Sequence, residues 1–288
     1  MNTKSFCAAI LAVGAAVAQT ETARQLWNTE FLKNRPPGKK ASPPSRVTYR
    51  PVGPVSPSTA PPGSQTMLGV TLWRLRVPKP QETHGARLLV IEKTGEKRDL
   101  LPERVEANTM LSEGDHVRLS VEVPGAGYLY VVDREQYKDG ATGAAYLIYP
   151  NKLTRPGDNT VAAGRQIEIP DRRDEPNCFT IRTSRPDQSA ELLSLVVTPQ
   201  PIPGLKIGDE PLLVDKLYAE WEKKWGVQAE RFEQDGSAGR PWSEREKQAG
   251  AAEGAMLTQE DELPQTLYRV NAKIGTPMVL QVALRIKQ

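Results

Sequence analysis

The stretch "VRLSVEVPGAGYLYVVDREQYKDG", Val117–Gly140, decides how this chain is read. Its first part alternates: Val117, Leu119, Val121 and Val123 fall on one side of an extended backbone, and Arg118, Ser120 and Glu122 on the other. A period of two marks a half-buried β-strand. Pro124, Gly125 and Gly127 break it as a turn. Tyr128–Val132 then forms a run apolar on both faces, the pattern of a central strand. Asp133–Gly140 gathers Asp133, Arg134, Glu135, Tyr137 and Asp139 and ends in Asp-Gly, so it is expected to leave the sheet as a charged loop.

The same glycines open like a dinucleotide-binding fingerprint, but Tyr130 stands where the third glycine belongs. β-formers follow where that motif needs a helix N-terminus to hold pyrophosphate. No phosphate loop and no G-x-S-x-G turn occur. His84 and His116 with Cys178, the one cysteine beyond the N-terminal apolar segment, are too few for the usual zinc ligand sets. No cofactor and no metal site are expected.

Working outward, the period of two recurs. "TLWRLRV" sets Trp73, Leu75 and Val77 against Arg74 and Arg76, and Met278, Leu280, Val282, Leu284 and Ile286 alternate near the C-terminus. Turn clusters such as "EKTGEK", "RPGDN" and "KIGTP" separate these runs. The spacing predicts a mainly β chain, an antiparallel β-sandwich of immunoglobulin-like architecture over 67–288 with a C-terminal hairpin over 264–286. A helical insertion is expected near 209–252. There Val214, Leu217, Tyr218, Trp221 and Trp225 recur at helical spacing behind a cap at Asp209 or Glu210 and a first-turn Pro211, and Ser243 with Glu246 forms a capping box.

The N-terminus reads as an address. Lys4, the apolar run Phe6–Val17 and the small-x-small ending Ala16-Val17-Ala18 form a signal-peptide pattern over 1–18, so the chain is expected to be exported, periplasmic or extracellular. The apolar run is shorter than the roughly 20 residues of a spanning helix, and no transmembrane span is expected once the signal is removed. Residues 19–66 are rich in Pro, Gly and Ser and are expected to be largely disordered. Between Glu30 and Glu82 there is no acidic residue, while Lys33, Arg35, Lys39, Lys40, Arg46 and Arg50 are basic. A net charge of +3 and a basic tract without interleaved aromatics argue against nucleic acid as a partner. Cys178 remains alone after signal removal and is expected as a small buried hydrophobe.

The run "LSEGDHVRLSVEVPGAGYLYVVDREQY", followed by "AYLIYPNK", "PGDNTVAAGRQIEIP" and "CFTIRTSRPDQSAELLSLVVTP", resembles the bacterial "domain of unknown function 4384" family over about Leu111–Pro199. That resemblance implies an accessory or recognition role in the cell envelope and transfers no catalytic residues. Two functions follow as expectations. The first is a non-enzymatic envelope module for binding or assembly, with an envelope protein or wall polymer as partner and Asp133, Arg134, Glu135, Tyr137 and Asp139 as its binding loop. The alternative is a hydrolase of envelope glycans using Asp133 and Glu135, since paired carboxylates suffice for that chemistry.

Overall fold

The structure, a computed structural model, describes residues 31–38, 47–53, 64–91, 94–153, 155–251 and 254–287. The expected signal segment 1–18 lies outside the described residues, as does most of the basic tract. In chain order the strands are β1 (Tyr49–Val52), β2 (Thr66–Arg76), β3 (Leu88–Ile91), β4 (Lys97–Val105), β5 (His116–Glu122), β6 (Gly127–Tyr137), β7 (Tyr146–Tyr149) and β8 (Thr160–Val161). They continue as β9 (Gln166–Ile169), β10 (Phe179–Thr180), β11 (Gln188–Thr198), β12 (Leu212–Leu213), β13 (Ala229–Gln234), β14 (Thr266–Val270) and β15 (Met278–Arg285).

These strands form two antiparallel sheets packed as a sandwich. The first runs β1-β13-β14-β2-β4-β3, with β5 also on β2 and β9 and β10 on β5. The second runs β12-β7-β6-β11-β15, with β8 also on β6. The alternating residues read from sequence are the core between them: Val117, Leu119 and Val121 of β5 meet Leu129 and Val131 of β6 and Leu280, Val282 and Leu284 of β15. Burying each such side chain stabilises by roughly 2 kcal/mol.

The second face of β6 is also covered. Helix α1 (Asp215–Trp225) lays Tyr218 and Trp221 on Tyr130, Val132, Val196 and Val279, which is why Tyr128–Val132 is apolar on both sides. The helix starts later than the spacing predicts. Val214 stands at its N-cap, and Leu212–Leu213 has paired with β7, so Asp209 and Glu210 cap nothing. Leu217, counted on the apolar stripe, is 44% exposed. Helix α2 (Glu244–Ala249) carries the expected reciprocal capping box of Ser243 and Glu246.

Four expectations need correction. The charged loop is absent: β6 continues to Tyr137, because β11 pairs with it along its whole length. The helical insertion contains a strand, β13, which its alternation did not reveal because Glu233 is fully buried there, bonded by Ala107 N, Gln265 Nε2 and Thr266 Oγ1. The C-terminal hairpin does not form. β14 joins β13 and β2 in the first sheet while β15 joins β11 in the second, so 271–277 crosses the sandwich.

The fourth correction concerns the linker. Phe31–Gly38 and Val47–Gly53 are placed, with Phe31 and Leu32 buried against Met67, Phe232, Leu263 and Leu267. Arg35 is 2% exposed and makes a bidentate pair with Glu122, Nε to Oε2 at 3.0 Å and Nη2 to Oε1 at 2.8 Å. It also donates to the carbonyls of Thr258, Asp261 and Glu262. A polar anchor leaves no apolar pattern, so composition hides it.

Gly127 has a packing role rather than a turn role. A Cβ there would lie 2.5 Å from the Thr198 carbonyl oxygen, where β6 and β11 begin their pairing. Gly127→Ala is expected to destabilise by about 1–3 kcal/mol, read as a lower urea midpoint. An unchanged midpoint would show that the strands separate there without strain.

Candidate functional site

The five residues expected to form one binding loop are divided by the strand that carries them. Successive residues of β6 point to opposite faces. Asp133 and Glu135 continue the inner face of Leu129 and Val131, and Tyr137 donates to Glu135 Oε2 at 2.6 Å. Arg134 points outward, its guanidinium 5.0 Å from the centre of the Tyr218 ring and 3.6 Å from Glu222 Oε2. Asp139 sits in the following turn, where its carboxylate accepts from Ala141 N.

The inner group gains a member that sequence reasoning missed. Glu191 of β11 pairs with Glu135 across the ladder, and its carboxyl reaches Asp133. Asp133 Oδ1 and Glu191 Oε2 are both buried with no N–H or hydroxyl donor. A proton held between the two carboxyls satisfies both. Burial, and then the charge of Asp133, pushes Glu191 up to about 8, and burial pushes Asp133 up to about 6. Gln188 Nε2 donates to Glu191 Oε1 at 2.7 Å and fixes its orientation. The Tyr137 phenol is raised by its bond to Glu135, and Arg185 stacks on its ring at 3.9 Å.

The Asp133 and Glu191 carboxyls, in contact, stand closer than the roughly 5–9 Å that flanks a scissile glycosidic bond. Glu135 is also covered: Gly143 N donates to its carbonyl, and a Cβ on Gly143 would lie 3.3 Å from the Glu135 Cβ. Neither of the two best-formed cavities is lined by Asp133, Glu135 or Glu191. Among the described residues, no three His, Cys, Asp or Glu side chains come together as a metal ligand set. Cys178 is 2% exposed and packs with Trp73 and Trp242.

The larger cavity lies elsewhere, at the side of the sandwich. It measures about 460 Å³ and is lined by Glu222 at the end of α1, Val227, Arg231 of β13, Tyr268 of β14, and Leu280 and Gln281 of β15. Its rim is braced by an outer-face network. Ser194 Oγ lies 2.7 Å from the Tyr218 hydroxyl, and Gln281 Nε2 donates to that hydroxyl at 3.1 Å and to Glu222 Oε1 at 2.7 Å. The Tyr268 phenol is held protonated by burial. Arg231 Nε is buried without an acceptor. The wall therefore sets the Arg231 guanidinium, 3.9 Å from Glu233 Oε1, beside apolar surface, with a fixed carboxylate at the rim.

Fold and site together define an antiparallel β-sandwich module with a lateral cleft and a pair of carboxyls, Asp133 and Glu191, in contact. Residues 110–201 match the model of the family described as "Domain of unknown function (DUF4384)", so the resemblance read from the sequence holds over β5–β11. No curated protein and no solved structure matched the chain. The matched segment is completed by strands outside it: β2 pairs with β5, and β15 pairs with β11. No helix among the described residues is long and apolar enough to cross a membrane.

Proposed function

We infer that this protein is a non-enzymatic binding or assembly module of the cell envelope, exported by its N-terminal signal and holding its ligand at the lateral cleft. The observation that carries the reading is the cleft itself: about 460 Å³ of space with Arg231, Tyr268 and Gln281 on its walls, none of the carboxylates suited to catalysis being among its lining. A photo-crosslinker at Gln228, which lines the cleft, is expected to capture one envelope protein or wall polymer reproducibly in cells. The same group at Asp139 is expected to capture nothing in common with it. No reproducible product from Gln228 sinks the reading.

The glycan-hydrolase reading keeps one supporting observation, the raised proton affinity of Asp133 and Glu191, which suits a general acid. It predicts turnover of wall glycans that Asp133→Asn and Glu135→Gln each abolish. The binding reading predicts no turnover by the parent chain.

A further inference from the structure

Strand β15 has β11 on one side, and its other side is an edge. Alternate residues of a strand send their backbone groups to opposite sides. Ile286 N donates inward to Ser189 O, whereas the carbonyls of Val279 and Arg285 accept from Val227 N and Leu111 N on the outer side. The backbone N–H and C=O of Gln281 and Ala283 therefore point outward. Among the described residues no backbone group meets them.

The two ends of this edge are already used. Gly226 forms a parallel bridge with Val279, and Leu111 forms one with Ile286. Between them lies a lane of about 20 Å at strand rise. The chain itself thus adds extended segments to this edge, and among the described residues its middle is left open. The open part borders the cleft, which shares Leu280 and Gln281 with it.

The geometry points to an extended peptide as the ligand: a short segment that adds to β15 at Gln281–Ala283 and places a side chain bearing a carboxylate or amide oxygen in the cleft against Arg231. This deepens the binding reading above and rests on it. Four backbone groups supply hydrogen bonds of the kind that hold an added strand, and the adjoining pocket supplies selection. The Arg231 guanidinium on the cleft wall supplies the preference for an acceptor. A second copy of β15 fits less well. Its own bridges at Gly226 and Leu111 would meet those of the first copy, whereas a free peptide can leave the lane at either end.

The test pans a random heptapeptide phage library on the chain lacking 1–18, followed by affinity measurement on synthetic peptides. Enriched sequences are expected to carry Asp, Glu, Asn or Gln at a shared position. Ala283→Pro removes only an outward N–H, a change an edge strand tolerates, and is expected to weaken binding at least about 30-fold with an unchanged unfolding midpoint. Methylating the peptide's central backbone nitrogens, which leaves the protein untouched, is expected to do the same. Arg231→Met is expected to erase the preference for an acceptor side chain. The proposal is overturned if no peptide is enriched, if Ala283→Pro or backbone methylation leaves affinity unchanged, or if the edge instead drives concentration-dependent dimerisation that Ala283→Pro abolishes. Should in-cell capture through Gln228 persist in the Ala283→Pro chain, the binding role stands and only the strand-addition mode fails.

Discussion

The parent chain is expected to lose stability as pH rises from about 5 to about 9, and Glu191→Gln to remove most of that loss. Burial and the charge of Asp133 push Glu191 up to about 8, well above the ordinary carboxylate range near 4.3 that it has in the unfolded chain. The folded state thus keeps a proton that the unfolded state releases. Its stabilising contribution is complete below the unfolded value and is lost as pH rises through about 8. Because Glu191 is partly solvated, the effect is about 2 kcal/mol rather than the whole shift. A Gln amide donates to Asp133 at every pH and replaces the titrating proton with a permanent one. Urea unfolding at pH 5, 7 and 9 checks this, and parallel pH profiles for parent and variant would show that no proton is shared.

The second large effect is at Arg35. Arg35→Met is expected to cost about 3–5 kcal/mol, because it strands Glu122 in a site where burial already raises its proton affinity. It also leaves the carbonyls of Thr258, Asp261 and Glu262 without their shared donor. A double variant, Arg35→Met with Glu122→Leu, is expected to recover part of the loss, since an apolar pair leaves no charge behind. Urea midpoints for the two single variants and the double give the coupling directly. Equal stability of Arg35→Met and parent would mean that the N-terminal segment is dispensable to the fold.

These two sites show where sequence reading succeeds and where it stops. The strands of the core were legible from Val117–Val123, Tyr128–Val132 and Met278–Ile286, because apolar residues at a period of two have one physical explanation. The charged half of β6 was not. Asp133, Arg134 and Glu135 look like a loop to any hydrophobicity argument, and they stay in the sheet only because β11 supplies their backbone partners. β13 escaped for the same reason, with Glu233 buried by three hydrogen bonds rather than by apolar character. For the candidate site, Asp133 and Glu135 were found on one face as the strand period requires. Glu191 carried no signal beyond its place in an alternating run, "AELLSL". The cleft had none at all, since its walls come from α1, β13, β14 and β15.

The sequence by itself determined the β-rich class, the inward face of each regular strand and the amphipathic helix under which β6 lies, because those follow from the geometry of a few neighbouring residues. The tertiary structure alone decided that β14 and β15 lie in opposite sheets, that the carboxyls of Glu191 and Asp133 meet, and that Arg35 finds Glu122 across 87 positions of chain. Such pairings depend on register between distant strands and on desolvated charges meeting their complement. Neither leaves a local period in the sequence.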